Sequence, residues 1–210
     1  MKARPKKADA FTGASFPLSN RLRRVIWGVV YRLFFRPSPR PLHVWRSFLL
    51  TAFGARLGRG CHIYPGAVIW APWNLVCGDQ VGVADGAILY SQALISLGDR
   101  VVVSQGSHLC TGSHDYELRG FPLITKPIRV GREAWIAAEC FVHPGVVIGD
   151  GTVVGARSVV IRSLPPWMVC SGNPCAPIKP RVFRDADEHG ELMPLKNSGG
   201  LPDWEMAGKH

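Results

Sequence analysis

The sequence predicts an all-β solenoid: a parallel β-helix of about five triangular coils, with helices at its N-terminal end and a short C-terminal extension. Three observations predict it. Aliphatic residues recur every six positions, small residues follow most of them four positions later, and glycine follows the first aliphatic residue of each group of three hexads. Three hexads make one turn, so the aliphatic side chains fill the axis of a prism whose coils stack about 4.8 Å apart.

The inward positions of this prism follow directly from the period of six. Fourteen of the fifteen anchor positions are Leu, Ile or Val. They are Leu57, Ile63, Ile69, Cys77, Val83, Leu89, Leu97, Val103, Leu109, Val130, Ile136, Val142, Ile148, Val154 and Val160. The smaller inward positions, four residues after an anchor, include Ala67, Ala87, Ser107, Ser113 and Ser158.

The coil lengths predict where the prism departs from regularity. Coils start at Leu57, Cys77, Leu97, Val130 and Ile148, and every extra residue falls between the third hexad of one coil and the first of the next. Insertions unrelated to the fold would not all fall at the same corner. Residues 57–162 are therefore predicted to form a single prism with a protruding loop at 115–129. Glycine after each coil start favours a tight corner with unusual backbone dihedral angles.

The N-terminal quarter of the chain is strongly basic. Residues 1–56 hold twelve Lys or Arg and one acidic residue. Apolar residues at helical spacing from Leu22 to Phe34 predict a helix that Ser19 or Asn20 caps and Pro37 ends, and a second helix is predicted from Leu42 to Phe53. We expect residues 1–18 to be flexible and 19–56 to plug the open end of the first coil.

A second interpretation of the basic helix is contact with an anionic membrane surface, and both roles are compatible. No recognition motif accompanies the basic residues, so nucleic acid is not predicted as a partner.

At the other end, residues 163–183 are rich in proline and are expected not to continue the prism regularly. Residues 184–210 are predicted to be a flexible tail.

The composition excludes several classes of protein. The 210 residues are 47% hydrophobic and 19% charged, which is incompatible with a mainly disordered chain. No stretch reads as a signal peptide or a membrane span. The six cysteines show no CxxC pair and no zinc-ligand spacing, which favours reduced core thiols in a cytoplasmic protein.

The candidate for chemistry is His114, because it lies where the predicted loop leaves the prism. A neutral imidazole beside a loop-covered cleft can accept the proton of an attacking hydroxyl. Asp115, Glu117 or a backbone carbonyl are the candidates to orient it. Asp85, Tyr90 and Gln92, one coil earlier, and Asp115 are predicted to lie near the acceptor.

Three motifs make this prediction specific. They are Gly112-Ser113-His114-Asp115, Trp135-Ile136-Ala137-Ala138 and Gly172-Asn173-Pro174. With the hexads, they resemble the colanic acid biosynthesis acetyltransferases, relatives of the maltose and galactoside O-acetyltransferases, over residues 15 to 183. The resemblance implies a left-handed β-helix, acetyl-CoA as acyl donor, a sugar hydroxyl as acceptor, His114 as catalytic residue, and a homotrimer with active sites between subunits.

The resemblance also implies residues for the cofactor. Ala138, Gly155 and Ala156 would leave backbone groups open to the pantetheine arm, and Trp135 would form a wall of the cleft. Candidates for the phosphates of coenzyme A are Arg162 and Lys179, together with Arg157 and Arg181. Lys179 is an uncertain substitute for a basic residue that related enzymes carry after the Gly-x-Pro segment, where this chain has Ala176-Pro177.

Three alternative functions are supported by the residues to different degrees. A zinc hydratase is disfavoured because His108 and His114 are predicted to lie on the order of 15 Å apart on two faces of one coil, and no metal is expected. A trimeric scaffold without activity would have no need of His114 and its loop. An acetyltransferase with another acceptor (serine, an antibiotic or an amino sugar) is not distinguished by the residues.

Overall fold

The structure is a computed structural model that describes residues 15–183. The predicted flexible tail, and residues 1–14 of the predicted flexible N-terminus, lie outside the described residues. Helix α1 (Leu18–Val30) continues into a π-helical turn (Tyr31–Phe35), and α2 (His43–Ala52) follows. No helix among residues 15–183 is long and apolar enough to cross a membrane.

A parallel β-helix of five complete coils follows, as predicted. The first face holds β1 (Arg56–Leu57), β4 (Leu75–Cys77), β7 (Ile95–Leu97), β12 (Ile128–Val130) and β15 (Val147–Ile148). The second holds β2 (His62–Ile63), β5 (Gly82–Val83), β8 (Val102–Val103), β13 (Trp135–Ile136) and β16 (Val153–Val154). The third holds β3 (Val68–Ile69), β6 (Ile88–Tyr90), β9 (His108–Cys110), β14 (Phe141–Val142) and β17 (Val159–Val160). The first corner joins the first and second faces, the second corner the second and third faces, and the third corner leads to the next coil.

The C-terminal segment adds part of a sixth coil, which was not predicted from the sequence. Leu164 bridges Ile148 on the first face, and β18 (Met168–Gly172) pairs in parallel with β16 on the second. Strand β19 (Cys175–Pro180) then turns back antiparallel to β18. Pro165 and Pro166 therefore lie in the corner rather than ending the prism, and β19, which contains Pro177 and Pro180, covers its last edge on this face.

The predicted core is confirmed. All the anchors are buried except Leu57, which is half-buried. Five of the six cysteines are buried, Cys110 is half-buried, and all six are free thiols, as predicted. One small position was wrong: Ser113 is exposed, and Thr111 takes the buried place at its corner.

The corner glycines are required for a different reason from the one expected. Gly58, Gly78, Gly98, Gly131 and Gly149 do not have positive φ angles. Instead, the next coil passes directly over them: a Cβ on Gly98 would lie 2.6 Å from the backbone nitrogen of Arg132. Left-handed backbone occurs two residues further on at the same corner, at Gly60 and at non-glycine residues such as Arg100. The glycines therefore provide space between coils.

The helices do plug the first coil, but through a different face from the predicted one. The aliphatic stripe is largely exposed, with Leu22 58% and Val25 64% accessible, whereas Trp27 and Phe35 are buried. Backbone hydrogen bonds join each coil to its neighbours, and the first coil has no preceding coil, so backbone carbonyls on its open edge need other donors. An aliphatic stripe cannot supply them.

Three side chains of the N-terminal cap, which consists of α1, its π-helical turn and α2, supply these donors. Trp27 Nε1 donates to the Ile69 oxygen at 2.8 Å, and the Tyr31 hydroxyl donates to the Ala67 oxygen at 3.2 Å. Arg46, which has no exposed surface, donates to the Ile63 oxygen at 2.6 Å. The cap therefore closes the open edge by hydrogen bonding as well as by apolar packing.

Candidate active site

His114 lies on a hairpin that leaves the prism at the third corner. Strands β10 (Gly112–His114) and β11 (Leu123–Thr125) are antiparallel, with His114 opposite Leu123. The predicted loop thus departs at Gly112 rather than at Asp115. Because β10 has left the coil, Ser113 does not point into the core.

Thr111 anchors the base of this hairpin to the core. Its buried hydroxyl donates to the Tyr90 oxygen at 2.7 Å and accepts from the Ala93 nitrogen at 2.9 Å. Its carbonyl accepts from the Lys126 nitrogen where the hairpin returns. Buried hydroxyl groups with all partners satisfied make a rigid support, so the hairpin extends from a fixed base.

The imidazole of His114 is oriented by Phe121 at the far side of the hairpin. Nδ1 lies 2.7 Å from the Phe121 carbonyl oxygen, and the two rings are stacked. A carbonyl oxygen only accepts hydrogen bonds, so Nδ1 carries the proton and Nε2 has a free lone pair. This backbone carbonyl is the orienting group, one of the three candidates from the sequence. The ring is set up to accept a proton at Nε2.

A cleft of about 390 Å³ opens beside His114. Its described lining combines the hairpin, the third corner of the second coil and helix α1. The other residues of the lining are Ser15, Phe16, Arg21, Arg24, Gln92 and Leu123. Within residues 15–183, Gln92 Oε1 is buried and has no hydrogen-bond partner.

The predicted acceptor residues are only partly brought together. Gln92 lines the cleft, and Tyr90 lies two residues before it, edge-on to the rings of Trp70 and His108. Asp85 was wrongly placed at the same corner. It lies at the second corner, where it accepts from the Gly66 nitrogen at 2.7 Å and pairs with Arg40 at 3.2 Å. The width of the third face separates it from the cleft.

Asp115 follows His114 directly, and its backbone nitrogen donates to the Pro122 oxygen at 3.0 Å. That bond continues the hairpin beyond its last strand pair. A role for Asp115 at the acceptor remains a prediction. It does not orient His114 through the imidazole nitrogen Nδ1, because Phe121 has that position.

The residues expected to bind the pantetheine arm lie at the second corner. Ala138 and the pair Gly155 and Ala156 occupy this corner in successive coils, and the Arg157 nitrogen donates to the Ala138 oxygen at 2.9 Å. Trp135 is on the second face close to this corner. Its ring is 46% exposed and its Nε1 donates to Ser104 Oγ. The small residues Ala138, Gly155 and Ala156 therefore lie along one corner of the prism, and the ring of Trp135 lies on the adjoining face.

The predicted phosphate-binding cations are dispersed. Arg162 follows β17 and lies at the third corner, while Lys179 lies on β19 opposite Val169. Arg181 donates to the carbonyls of Glu133 and Gly151 and so fastens the last coil, and Arg157 pairs with Glu139 at 2.7 Å. Arg162 and Lys179 do not belong to one cluster within a single chain.

Two halves of the predicted site therefore lie on different edges of one prism. His114 is at the third corner and the small side chains are at the second. An extended third face separates these corners by roughly 15–20 Å. One chain alone does not bring His114 to the predicted donor groove.

Arg21 and Arg24 line the cleft but were not predicted to do so from the sequence. Their helical spacing and basic character were visible, but nothing in the sequence located α1 beside a hairpin ninety residues later. Within residues 15–183, no three His, Cys, Asp or Glu side chains lie close enough together to hold a metal ion.

Comparison with known proteins gives a consistent result. Residues 127–162 match the family described as bacterial transferase hexapeptide (six repeats). The chain is 46% identical over 163 residues to the putative colanic acid biosynthesis acetyltransferase WcaF of Escherichia coli (strain K12), covering 78% of this chain and 90% of that protein. It is 32% identical over 147 residues to the galactoside O-acetyltransferase of the same strain, covering 69% and 71%.

The fold is also found among solved structures. A galactoside acetyltransferase in complex with coenzyme A superimposes with a TM-score of 0.73 at 24% identity, over 80% of this chain and 86% of that one. This likeness concerns the fold.

Proposed function

Since the chain belongs to the hexapeptide-repeat acetyltransferases, we propose that it transfers an acetyl group from acetyl-CoA to a sugar hydroxyl, with His114 as general base. It is an acyltransferase by family, and the resemblance seen in the motifs is confirmed. The identity of its relatives supports a role in the assembly of a surface polysaccharide. The observation that carries the proposal is the bond between His114 Nδ1 and the Phe121 carbonyl.

The reaction follows from that bond. Nε2 takes the proton of the acceptor hydroxyl as its oxygen attacks the thioester carbonyl carbon, and a backbone N–H stabilises the oxyanion. The tetrahedral intermediate collapses, the carbon–sulfur bond breaks, and the departing thiolate takes the proton from Nε2. The Phe121 carbonyl stabilises the imidazolium between these two transfers.

The active site is proposed to form between subunits of a homotrimer. Its support is the separation of His114 from the edge that holds Ala138, Gly155 and Ala156. In this arrangement the His114 hairpin of one chain meets the donor groove of the next. Trp135 would form a wall of the groove, and Arg162 and Lys179 are proposed to bind the phosphates of coenzyme A.

The exposed side of the helices supports a further part of the proposal, which is peripheral contact with the inner face of the cytoplasmic membrane. Residues 15–56 contain eight arginines and no acidic residue. Leu22, Val25 and Leu33 on α1 and its π-helical turn, and Phe48 on α2, are each at least 58% exposed. An apolar helix face can insert into the lipid boundary, and the arginines beside it can bind anionic headgroups, so this surface suits an anionic membrane.

The catalytic part is tested by replacing His114 with alanine. Turnover of acetyl-CoA is followed by chromatography of free coenzyme A, because the six protein thiols would react with a thiol reagent. The acceptors are free sugars, nucleotide sugars and lipid-linked oligosaccharides. We expect a loss of roughly a hundredfold or more in kcat with donor binding intact.

The matched control is His143→Ala, which removes an exposed histidine of the next coil. This variant is expected to keep wild-type turnover. Full activity in His114→Ala would refute the assignment of the base. If wild type neither binds acetyl-CoA nor acetylates any acceptor, the scaffold alternative is favoured.

The membrane part is tested by sedimentation with vesicles. Binding to vesicles with phosphatidylglycerol, and none to neutral phosphatidylcholine vesicles, is the expected result. The variant Val25→Asp/Leu33→Asp should lose binding, whereas Val68→Asp, on an exposed position of the prism, should keep it. Equal loss in both variants would contradict a role for the helices.

A further inference from the structure

The cleft beside His114 is cationic on the side that α1 forms. Arg21 and Arg24 line it together with His114, and no described lining residue has a carboxylate. No ion pair involving either arginine is found within residues 15–183. Two guanidinium groups three residues apart on a helix are neighbours. Such a pair without a carboxylate is suited to an anionic ligand.

Arg24 is held in place, while most of its donors have no partner within residues 15–183. Its guanidinium carbon lies 4.5 Å from the centre of the Trp70 ring and 5.4 Å from that of Phe16. Nε donates to Asn20 Oδ1 at 3.1 Å. Stacking uses the faces of the planar group, so the Nη groups at its edge can donate, and that edge matches two oxygens of a phosphate.

Arg21 lies one turn earlier on α1 and is exposed. Its exposed side chain can adopt different rotamers to reach a ligand in the cleft, whereas the side chain of Arg24 is fixed by its neighbours. Together they provide two positive charges on one wall of the cleft, while the hairpin with His114 forms another wall. A ligand with an anionic group on one side and a hydroxyl on the other fits these walls.

We infer that Arg21 and Arg24 form an anion subsite for the acceptor, which is a sugar carried on a phosphate or diphosphate ester. The inference rests on the proposed function in one respect, since the sugar hydroxyl must reach His114. A nucleoside diphosphate sugar and a lipid-linked diphosphate sugar share this chemistry. The apolar face of the same helix favours the lipid-linked source.

Binding is tested first without catalysis, by calorimetric titration of inorganic pyrophosphate. Saturating coenzyme A is present so that the phosphate sites of the donor are filled. Wild type is expected to bind pyrophosphate, and Arg21→Gln/Arg24→Gln is expected to bind it at least tenfold more weakly. The control is Arg23→Gln, because Arg23 stacks on Trp73 at 4.2 Å and does not line the cleft. Equal binding in wild type and the double variant, or equal loss in Arg23→Gln, would overturn the subsite.

Kinetics then identify the source of the phosphate. Three acceptors with the same sugar are compared: an alkyl glycoside, a nucleoside diphosphate sugar and a polyprenyl diphosphate sugar in neutral detergent micelles. The double variant is expected to lose tenfold or more in kcat/KM for a phosphate-bearing acceptor and to keep its value for the alkyl glycoside. Equal losses for all three would contradict the inference.

The two proposals fail in different ways. If His114→Ala keeps full turnover but pyrophosphate still binds through the arginines, the assigned base is wrong and the subsite stands. If acetyl transfer depends on His114 but pyrophosphate binding does not depend on the arginines, the subsite is wrong. Melting temperatures check the fold of each variant, and Arg21→Gln alone tests the subsite if the loss of the Arg24 stacking unfolds the cap.

Discussion

The ring of His114 lies on the ring of Phe121, with 4.4 Å between their centres and 6° between their planes. The same residue binds Nδ1 through its carbonyl oxygen, so one residue fixes both the plane and the tautomer of the imidazole. The backbone of Phe121 has a positive φ of 42°, an uncommon value for an aromatic residue. The hairpin holds this conformation at the point where it orients the histidine.

Loss of the Phe121 ring should therefore impair the chemical step. We expect Phe121→Ala to lower kcat by about tenfold, because the imidazole loses its stacking partner and samples other orientations. The KM for acetyl-CoA should change little, since Phe121 is not proposed to touch the donor. Phe121→Tyr, which keeps the ring, is the matched variant and should restore kcat. A loss that appears in the donor KM instead would indicate a general defect of the hairpin.

The close approach of coils at the first corner predicts the effect of a single methyl group. Gly98→Ala would bring its Cβ against the backbone of Arg132 and is expected to destabilise the fold by about 2–4 kcal/mol. Gly28→Ala is the matched control, because Gly28 lies in α1 with no atom within 4 Å of an added Cβ. It should stabilise α1 by up to about 1 kcal/mol. Thermal unfolding at fixed protein concentration separates the two, and similar melting temperatures would contradict the steric explanation.

The prism could be predicted from the sequence because its period is local. Each anchor is defined by the next one six residues on, and burial of Ile63, Val83 and Val103 follows from that spacing alone. The reason for the corner glycines could not be seen, because the atoms that exclude a Cβ at Gly98 belong to a residue thirty-four positions later. The period itself gives the corner of Asp85, which follows Val83, the second anchor of its coil, whereas the loop leaves after a third anchor; its placement near the loop was therefore a misreading of the register.

The packing of the N-terminal cap likewise could not be predicted from local sequence patterns. Two stripes share the helix: the aliphatic one that includes Leu22 and Val25, and an aromatic one of Trp27, Tyr31 and Phe35. Apolar periodicity favours the first. The structure packs the second on the first coil, where Trp27 and Phe35 are buried and the Trp27 N–H and the Tyr31 O–H bond to backbone carbonyls. The need of backbone carbonyls at the end of a β-helix for hydrogen-bond donors arises from the tertiary structure, and the hydropathy pattern of the sequence does not show it.

Arg46 is expected to be essential for the stability of this cap. Besides Ile63, its guanidinium donates to the carbonyls of Pro39 and Arg40 and to the hydroxyl of Ser38. Arg46→Met would leave the buried Ile63 carbonyl without this donor and would remove the three part-buried bonds, so we expect a loss of about 2–4 kcal/mol. Arg56→Met, at an exposed arginine of β1, should stay within about 0.5 kcal/mol of wild type. Equal stability of the two variants in urea unfolding would show that backbone carbonyls of the first coil do not need the cap.

Acidification should destabilise the fold through two half-buried histidines. Burial lowers the pKa of His108, whose Nε2 is buried with no partner within residues 15–183, and burial also lowers the pKa of His43. The unfolded chain therefore binds a proton near pH 6.5 that the folded chain takes up only at lower pH. The stabilisation is complete above that unfolded pKa and is lost as the pH falls through it toward the folded pKa.

The melting temperature is therefore expected to fall between pH 7.5 and pH 5.5, a range above the titration of most carboxylates. His108→Phe should make this fall shallower, because a phenyl ring keeps the edge-on contacts with Tyr90 and Phe141 and binds no proton. His143→Phe replaces an exposed histidine and should retain the wild-type slope. A slope that is identical in wild type and His108→Phe would assign the pH dependence to other groups.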